Sequence, residues 1–512
     1  MTKLIITLLL FISSLVTAQV AQTGRWEIKT DQEGEVYKVA RADSLGLVIY
    51  SKIYSKLQGK NIASIELIRL DTALKEVWRG YIPVEQSVTI SLTLVRNKSL
   101  YILARNPANP LDGFLVIDLD IKNGKYTSHH IRNAIPFVPT EFVSTNGAVM
   151  ISGYFNYRPL VLHYSFALKK SKILPGFFNE PGEVNQMKSN DDGSVDIIVS
   201  GKNAVKKRSL WIRNYNSEGE LIKTTVLEPS GKRNLIFGRS VKMPNNQQVV
   251  AGVYGRNSEY SRGIFVSTIS TFGEYVTRYY NFADLQNFFH YLRANQEKRI
   301  KKRIERRRVK GKRLKFNYRF LVQELVPYGN QFIMLGEAFY PLYSYRATTN
   351  IDRSYVNSSW YDPSYRNYSP YRNDFIFNGF QYTHAIVIGF DKEGKIHWDN
   401  SFEISDVRSS QLEQFVKIAP VSDHVGLLYL FNNLIRTKII KDSQVLEGKL
   451  ADEVKMLDST DYSQKGDTQM TKLDYWYGHH MFASGFQNIR QSNERGAPLK
   501  RRVFFINKIS YR

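Results

Sequence analysis

No cysteine occurs among the 512 residues. Disulfides, thiol chemistry and a cysteine-borne lipid anchor are therefore excluded. Acidic residues are outnumbered, with 47 Asp and Glu against 71 Lys and Arg, for a net charge of +24. Proline is sparse at 16, whereas Tyr and Phe number 32 and 29, a balance that suits strands better than long helices or disorder. Without disulfides the fold must rest on its core, and a chain of this length can bury a large one.

Long apolar runs are also missing. The longest, residues 4–16, follows Lys3 and precedes the small-residue site Val16-Thr17-Ala18. It is shorter than the roughly 20 residues a membrane helix needs. This is the pattern of an export signal over residues 1–18, leaving Gln19 as the first residue of the exported protein and 19–512 as its folded part. The expected location is the periplasm or an outer-membrane-associated site, with secretion as a further possibility and no transmembrane segment after the signal. A basic exported protein meets lipid phosphates, acidic glycans or acidic proteins, and nucleic acid drops out as a partner.

What recurs is a unit of about fifty residues. An apolar run such as Asp196-Ile197-Ile198-Val199-Ser200-Gly201 precedes a second run, Leu210-Trp211-Ile212-Arg213-Asn214-Tyr215. A turn follows, Asn216-Ser217-Glu218-Gly219, and then a third strand from Glu220. The same order reappears around the turns Ser270-Thr271-Phe272-Gly273 and Asp391-Lys392-Glu393-Gly394. Looser copies begin near residues 47, 100, 149, 427 and 481. In each turn an Asp, Asn or Ser side chain binds its own backbone, and Gly closes the turn at positive φ. One hairpin cannot bury both of its faces, but sheets of four strands packed face to face in a ring can.

The expected fold class is therefore all-β, a seven- or eight-bladed β-propeller with a basic helical insertion and a long aromatic loop insertion. The first run of each unit is nearly all apolar, as expected for strands covered on both sides near the axis. A pair of β-sandwiches or a solenoid is the alternative. A transmembrane barrel would need alternating strands of about ten residues, which these runs are not. The units resemble those of the broad β-propeller superfamily, including repeats that end a hairpin in an Asp-x-x-Gly-Lys turn. The last unit lacks an outer strand after Ile506, and the N-terminal strands at residues 26–29 and 36–40 are placed to supply it.

Two segments depart from the repeat. In residues 281–320, Asn281 and Asp284 read as the cap of a helix, with Leu285, Phe288, Phe289 and Leu292 on one face and Ile300 and Ile304 continuing it. The rest is basic: Lys298, Arg299, Lys301, Lys302, Arg303, Arg306, Arg307, Arg308 and Lys310, then Lys312, Arg313 and Lys315, opposed by Glu297 and Glu305 alone. Such a run seeks counter-charge, and the expected partner is an acidic protein or an anionic membrane surface. Residues 339–382 interleave Tyr343, Tyr345, Tyr355, Trp360, Tyr361, Tyr365, Tyr368 and Tyr371 with Arg, Asn and Ser, a composition typical of binding surfaces. These rings would also suit a glycan.

Motifs for chemistry are absent. No nucleophile elbow, phosphate loop, His-Glu-x-x-His or calcium loop occurs. The pairs His129-His130 and His479-His480 point to opposite faces if on strands, so neither is a metal site alone. No cofactor or metal is expected. Glu337, Asp391 and Asp399 are the carboxylates to watch for an acid/base pair at the mouth of the ring, and Asp391 is already accounted for by its turn. Two readings stand: an envelope binding or assembly component, or a polysaccharide-binding or polysaccharide-degrading propeller protein.

Overall fold

The computed structural model describes residues 20–30, 36–57, 60–345 (save 134, 178–180, 244 and 258), 371–372 and 375–511. Within the last range, 405–406, 410–411, 421–423, 432–433, 442–443, 451–455, 458–460, 465–466 and 492–498 are not described. The signal segment therefore lies outside the described residues, as do Tyr355, Trp360, Tyr361, Tyr365 and Tyr368.

The fold is a β-propeller of eight sheets, at the upper end of the expected range. Each sheet is an antiparallel meander built on four strands. In chain order blades 1 to 7 span residues 38–84, 89–131, 138–173, 182–227, 234–281, 319–403 and 417–450. Blade 8 joins residues 461–511 to the N-terminal strand Val20–Lys29, which pairs antiparallel with Leu499–Tyr511. Of the N-terminal segments expected to complete the last unit, only the first does so. Lys38–Arg41 instead opens blade 1.

The chain divides into two compact units. The larger holds residues 52–66 and 80–414, and so blades 2 to 6. The smaller holds the described parts of 1–51, 67–79 and 415–512, including blades 7 and 8. In the larger unit each consecutive pair of sheets has its own apolar cluster. Leu103, Phe114 and Val116 meet Val149, Ile151 and Leu162 between blades 2 and 3. Ile198, Leu210 and Ile212 meet Leu235, Val250 and Phe265 between blades 4 and 5. In the smaller unit Leu428 and Ile435 of blade 7 pack on Met481, Ala483 and Ile509 of blade 8. Each of the Val, Leu, Ile, Phe and Met side chains contributes about 1.5–3 kcal/mol on full burial, so stability is shared among many sheet-to-sheet clusters.

The turns form as their residues dictate. The backbone N–H of Glu220 donates to Asn216 Oδ1 at 2.7 Å, and that of Lys395 to Asp391 Oδ1 at 2.8 Å. Gly219, Gly273 and Gly394 close their turns at φ 72°, 94° and 76°. Each turn also docks on the preceding blade. Tyr280 and Arg278 of blade 5 donate to the carbonyls of Gly394 and Glu393 at 2.8 Å each. A Cβ on Gly219 would stand 2.9 Å from the His163 ring, so glycine serves close approach as well as backbone angle.

One expectation needs correction. The apolar runs are the second strands of the sheets, Val195–Lys202 and Gln248–Gly255 among them, not the first. The first strands carry polar residues, and six of them break register at the same place, around Ser91, Thr140, Asn185, Ile236, Gln323 and Thr471. A bulge inserts one unpaired residue and bends the strand. A second strand is paired on both edges and covered on both faces, so it takes the purest apolar sequence.

Candidate functional site

In a meander the connection from second to third strand and the one from fourth strand to the next sheet leave from the same end. Both insertions use these connections, the basic one between blades 5 and 6 and the aromatic one inside blade 6. They therefore share one end of that blade.

The basic insertion has two physically different halves. Asn281 and Asp284 form the expected reciprocal cap, but on a single 3-10 turn, Phe282–Asp284. The N–H groups of Gln286 and Asn287 then donate to the Asp399 carboxylate, at 3.0 and 2.7 Å, and not to helical carbonyls. Ser401 donates to the Asn287 carbonyl at 2.7 Å. Leu285, Phe288 and Phe289 are buried between blades 5 and 6, so they are core residues of the sheet pair and not the face of a longer helix. Tyr291 lies flat on His384, with ring centroids 3.7 Å apart and planes 3° apart, and its hydroxyl meets that of Tyr318 at 2.9 Å.

His384 is wholly buried. Its Nδ1 meets Thr383 Oγ1 at 3.0 Å, and its Nε2 has no partner among the described residues. Phe288 and Tyr318 stand edge-on to the ring at 5.5 and 5.4 Å. Burial pushes the imidazole pKa down to about 3, so the ring stays neutral as a packing wedge. Burial likewise raises the Asp399 carboxyl, with the Asn287 and Gln286 N–H groups opposing the rise.

The second half is the helix α1, Ala294–Val309. Arg293 precedes it without a side-chain cap, Glu297 sits in the first turn, and Arg306, Arg307 and Arg308 occupy the last, favourable ends for the helix dipole. Gly311, at φ 63°, closes it. The Gly311 N–H donates to the Arg308 carbonyl and the Lys312 N–H to the Arg307 carbonyl, 2.9 Å each. These two bonds satisfy carbonyls the helix leaves free. Ile300 and Ile304 rest against the blade 5–6 core. Lys298, Arg299, Lys301, Lys302, Arg303, Arg306, Arg307, Arg308 and Lys310 are all exposed. Lys301 pairs with Glu297 at 2.6 Å and Arg308 with Glu305 at 3.6 Å. The other seven have no carboxylate within ion-pair distance among the described residues. Lys298/Lys302, Arg299/Arg303, Lys302/Arg306 and Arg303/Arg307 are like-charged neighbours one turn apart, each costing about 0.2–0.5 kcal/mol.

The aromatic insertion begins and ends as a hairpin. The strands Gln331–Tyr345 and Phe375–Phe390 pair well past Phe339, where pairing with the first strand stops. Tyr343, Tyr345 and Tyr371 thus belong to strands. Tyr343 is half-buried against Phe377, at 5.8 Å between rings. Phe380 and Tyr382 are fully buried, so they support the hairpin and are not part of a recognition surface.

The three carboxylates do not converge. Glu337 is buried and accepts from Gln323 Nε2 at 3.1 Å. Asp391 holds its turn and meets His397 at 2.9 Å. Asp399 caps the 286–287 backbone. Among the described residues no three His, Asp or Glu side chains gather as a metal site would require. His129 packs against Phe166 with rings tilted by 42° at 4.5 Å, and His480 Nδ1 meets Ser510 Oγ at 2.7 Å, both structural roles. That Asp399, Ser401 and His384 anchor residues 286–291 was not legible in the sequence, because those partners lie about a hundred residues away.

No protein-family model matches the chain, and no curated protein matches it. Among solved structures it is similar to the polysaccharide lyase Uly1, at 7% identity and TM-score 0.42, covering 96% of this chain and 99% of that one. It is also similar to hydrazine synthase of Kuenenia stuttgartiensis, at 10% identity and TM-score 0.38, over 81% and 97%. A PL25 ulvan lyase gives 8%, 0.39, 80% and 90%. Likenesses of this strength carry nothing about activity.

Proposed function

We propose that this chain is a binding component of the cell envelope, exported by its N-terminal signal, which docks an acidic protein surface through α1. The observation that carries the reading is the division of labour in the basic insertion. Phe282, Leu285, Phe288 and Phe289 anchor it in the core, and α1 with Lys310 just after it holds nine cations in solvent. An acidic partner would relieve the repulsion along the helix, a gain that grows as the interface dries.

A protein surface is favoured over a bilayer because α1 has no spare apolar face. Helices that lie in a membrane interface bury such a face among the acyl chains, and here Ile300 and Ile304 already pack against the blades. The aromatic hairpin at the same end would supply contacts specific to the partner.

The test replaces Lys298, Lys302, Arg303 and Arg306 with Gln and compares variant with wild type in pull-downs from gently solubilised envelopes. Deleting residues 281–315 would not serve, since that removes Phe288 and Phe289 from the core. A stoichiometric protein should be retained by the wild type, weakened in the variant and released as salt shrinks the screening length from roughly 10 Å at 0.1 M to roughly 3 Å at 1 M. Retention unaffected by the variant, or binding to phosphatidylglycerol vesicles with no protein captured, would refute docking on an acidic protein.

A further inference from the structure

A cavity of about 490 Å³ opens on one face of blade 4, at the end that corresponds to the α1 end of blade 6. Its floor is the sheet itself. Trp211 and Arg213 lie two residues apart on the third strand and so share a face. Val199 and Val226 flank Trp211 across the ladder, and Glu228 continues from the fourth strand. Gly176, Phe177 and Pro181, which precede the first strand of blade 4, line the cavity opposite the sheet.

The wall groups are held before any ligand arrives. The Arg213 guanidinium stacks over Phe177 at 5.0 Å, and Phe177 in turn stacks on Tyr215 at 5.7 Å. Tyr215 donates its hydroxyl hydrogen to the Pro175 carbonyl at 2.7 Å, which ties the connection to the sheet. Across the cavity Asn203 Nδ2 donates to Glu228 Oε1 at 3.4 Å, while Asn203 Oδ1 accepts the Lys207 N–H at 2.9 Å. Gly201 leaves the indole room, since a Cβ there would come within 3.1 Å of it. Trp211 itself is only half-buried.

We propose that this cavity binds a pyranose sugar. An amphipathic ring needs one flat aromatic surface for its C–H face and fixed hydrogen-bonding groups at its rim for its hydroxyls. Trp211 supplies the first, and Glu228 with Asn203 supplies the second, as acceptor and amide. The cavity volume falls in the range of small-ligand pockets, roughly 300–1,000 Å³. Arg213 adds a cation on the wall, which extends the class to hexuronates. This assignment goes beyond the α1 reading and does not depend on it.

The experiment is saturation-transfer NMR on the purified protein with glucose, galactose, mannose, rhamnose, N-acetylglucosamine and glucuronate, followed by titration of the best binder. At least one should saturate at millimolar concentration. Trp211→Ala should weaken it by about tenfold or more, the equivalent of about 1.4 kcal/mol. Trp211→Phe keeps a flat ring and should retain most of the affinity. Glu228→Gln, at an exposed position, controls for folding and should weaken binding by losing a charged acceptor. Failure of every sugar to saturate, or binding that survives both Trp211→Ala and Glu228→Gln, would overturn the assignment.

Discussion

Replacing His384 with phenylalanine tests whether the buried imidazole governs how the basic insertion is anchored in acid. The ring is sealed among Phe288, Tyr291 and Tyr318, and burial holds its pKa at about 3 in the folded protein. In the unfolded chain the same group titrates near 6.5. The folded pKa is the lower one, so between these values the unfolded state binds more protons. Stability is complete above about pH 6.5 and falls as the pH drops toward 3. Each unit below the unfolded value costs about 1.4 kcal/mol, so at about pH 4.5 the loss from this residue is about 3 kcal/mol. Phenylalanine fills a similar space and cannot take a proton. It also removes the contact with Thr383, a penalty independent of pH. Urea unfolding of both proteins at about pH 7.5 and 4.5, followed by Tyr and Trp fluorescence, gives the four stabilities. The wild type should lose about 3 kcal/mol more than the variant across that interval. Equal losses would refute the reasoning and show that the imidazole gains access to water or a partner when protonated.

Two further outcomes follow from the same geometry. Arg25 of the N-terminal strand donates to Glu27 at 2.5 Å, Gln487 at 2.6 Å and Asn507 at 3.2 Å, all within blade 8. Removing one partner of a buried ion pair costs about 3–5 kcal/mol, so Arg25→Ala should lower the denaturant midpoint markedly, and a change under about 1 kcal/mol would count against a closing role for this strand. Gly311→Ala should cost about 1–2 kcal/mol at the left-handed end of α1. Hydrogen exchange should quicken at the amides of residues 305–309 while global unfolding stays put, because the helix lies outside the core; a lowered global midpoint would contradict that placement.

The hairpin turns were legible because their cause is local. Asn216, Ser270 and Asp391 bind backbone within four residues, and the glycine that follows takes an angle other residues avoid. The apolar runs marked every blade, and their spacing led to the repeat. Their rank within the sheet did not follow, since hydrophobicity records how well a strand is covered and not its order. The polar first strands, with their bulges, carried little periodic signal. In the basic insertion, helical spacing of Leu285, Phe288, Phe289 and Leu292 pointed to one continuous helix. Asp399 intervenes by taking the N–H groups of Gln286 and Asn287, and it lies 112 residues from Asn287.

The sequence by itself determined the repeat, the turns, the all-β class, and a cationic segment in search of counter-charge. Each of these depends on composition or on contacts within a few residues. Tertiary structure alone decided which half of the insertion is core and which is exposed, and that Glu337, Asp391 and Asp399 serve separate partners. It also formed the cavity beside Trp211, whose walls come from two successive units of the repeat. Such features arise when sheets pack face to face, and pairing between distant segments leaves no periodic trace along the chain.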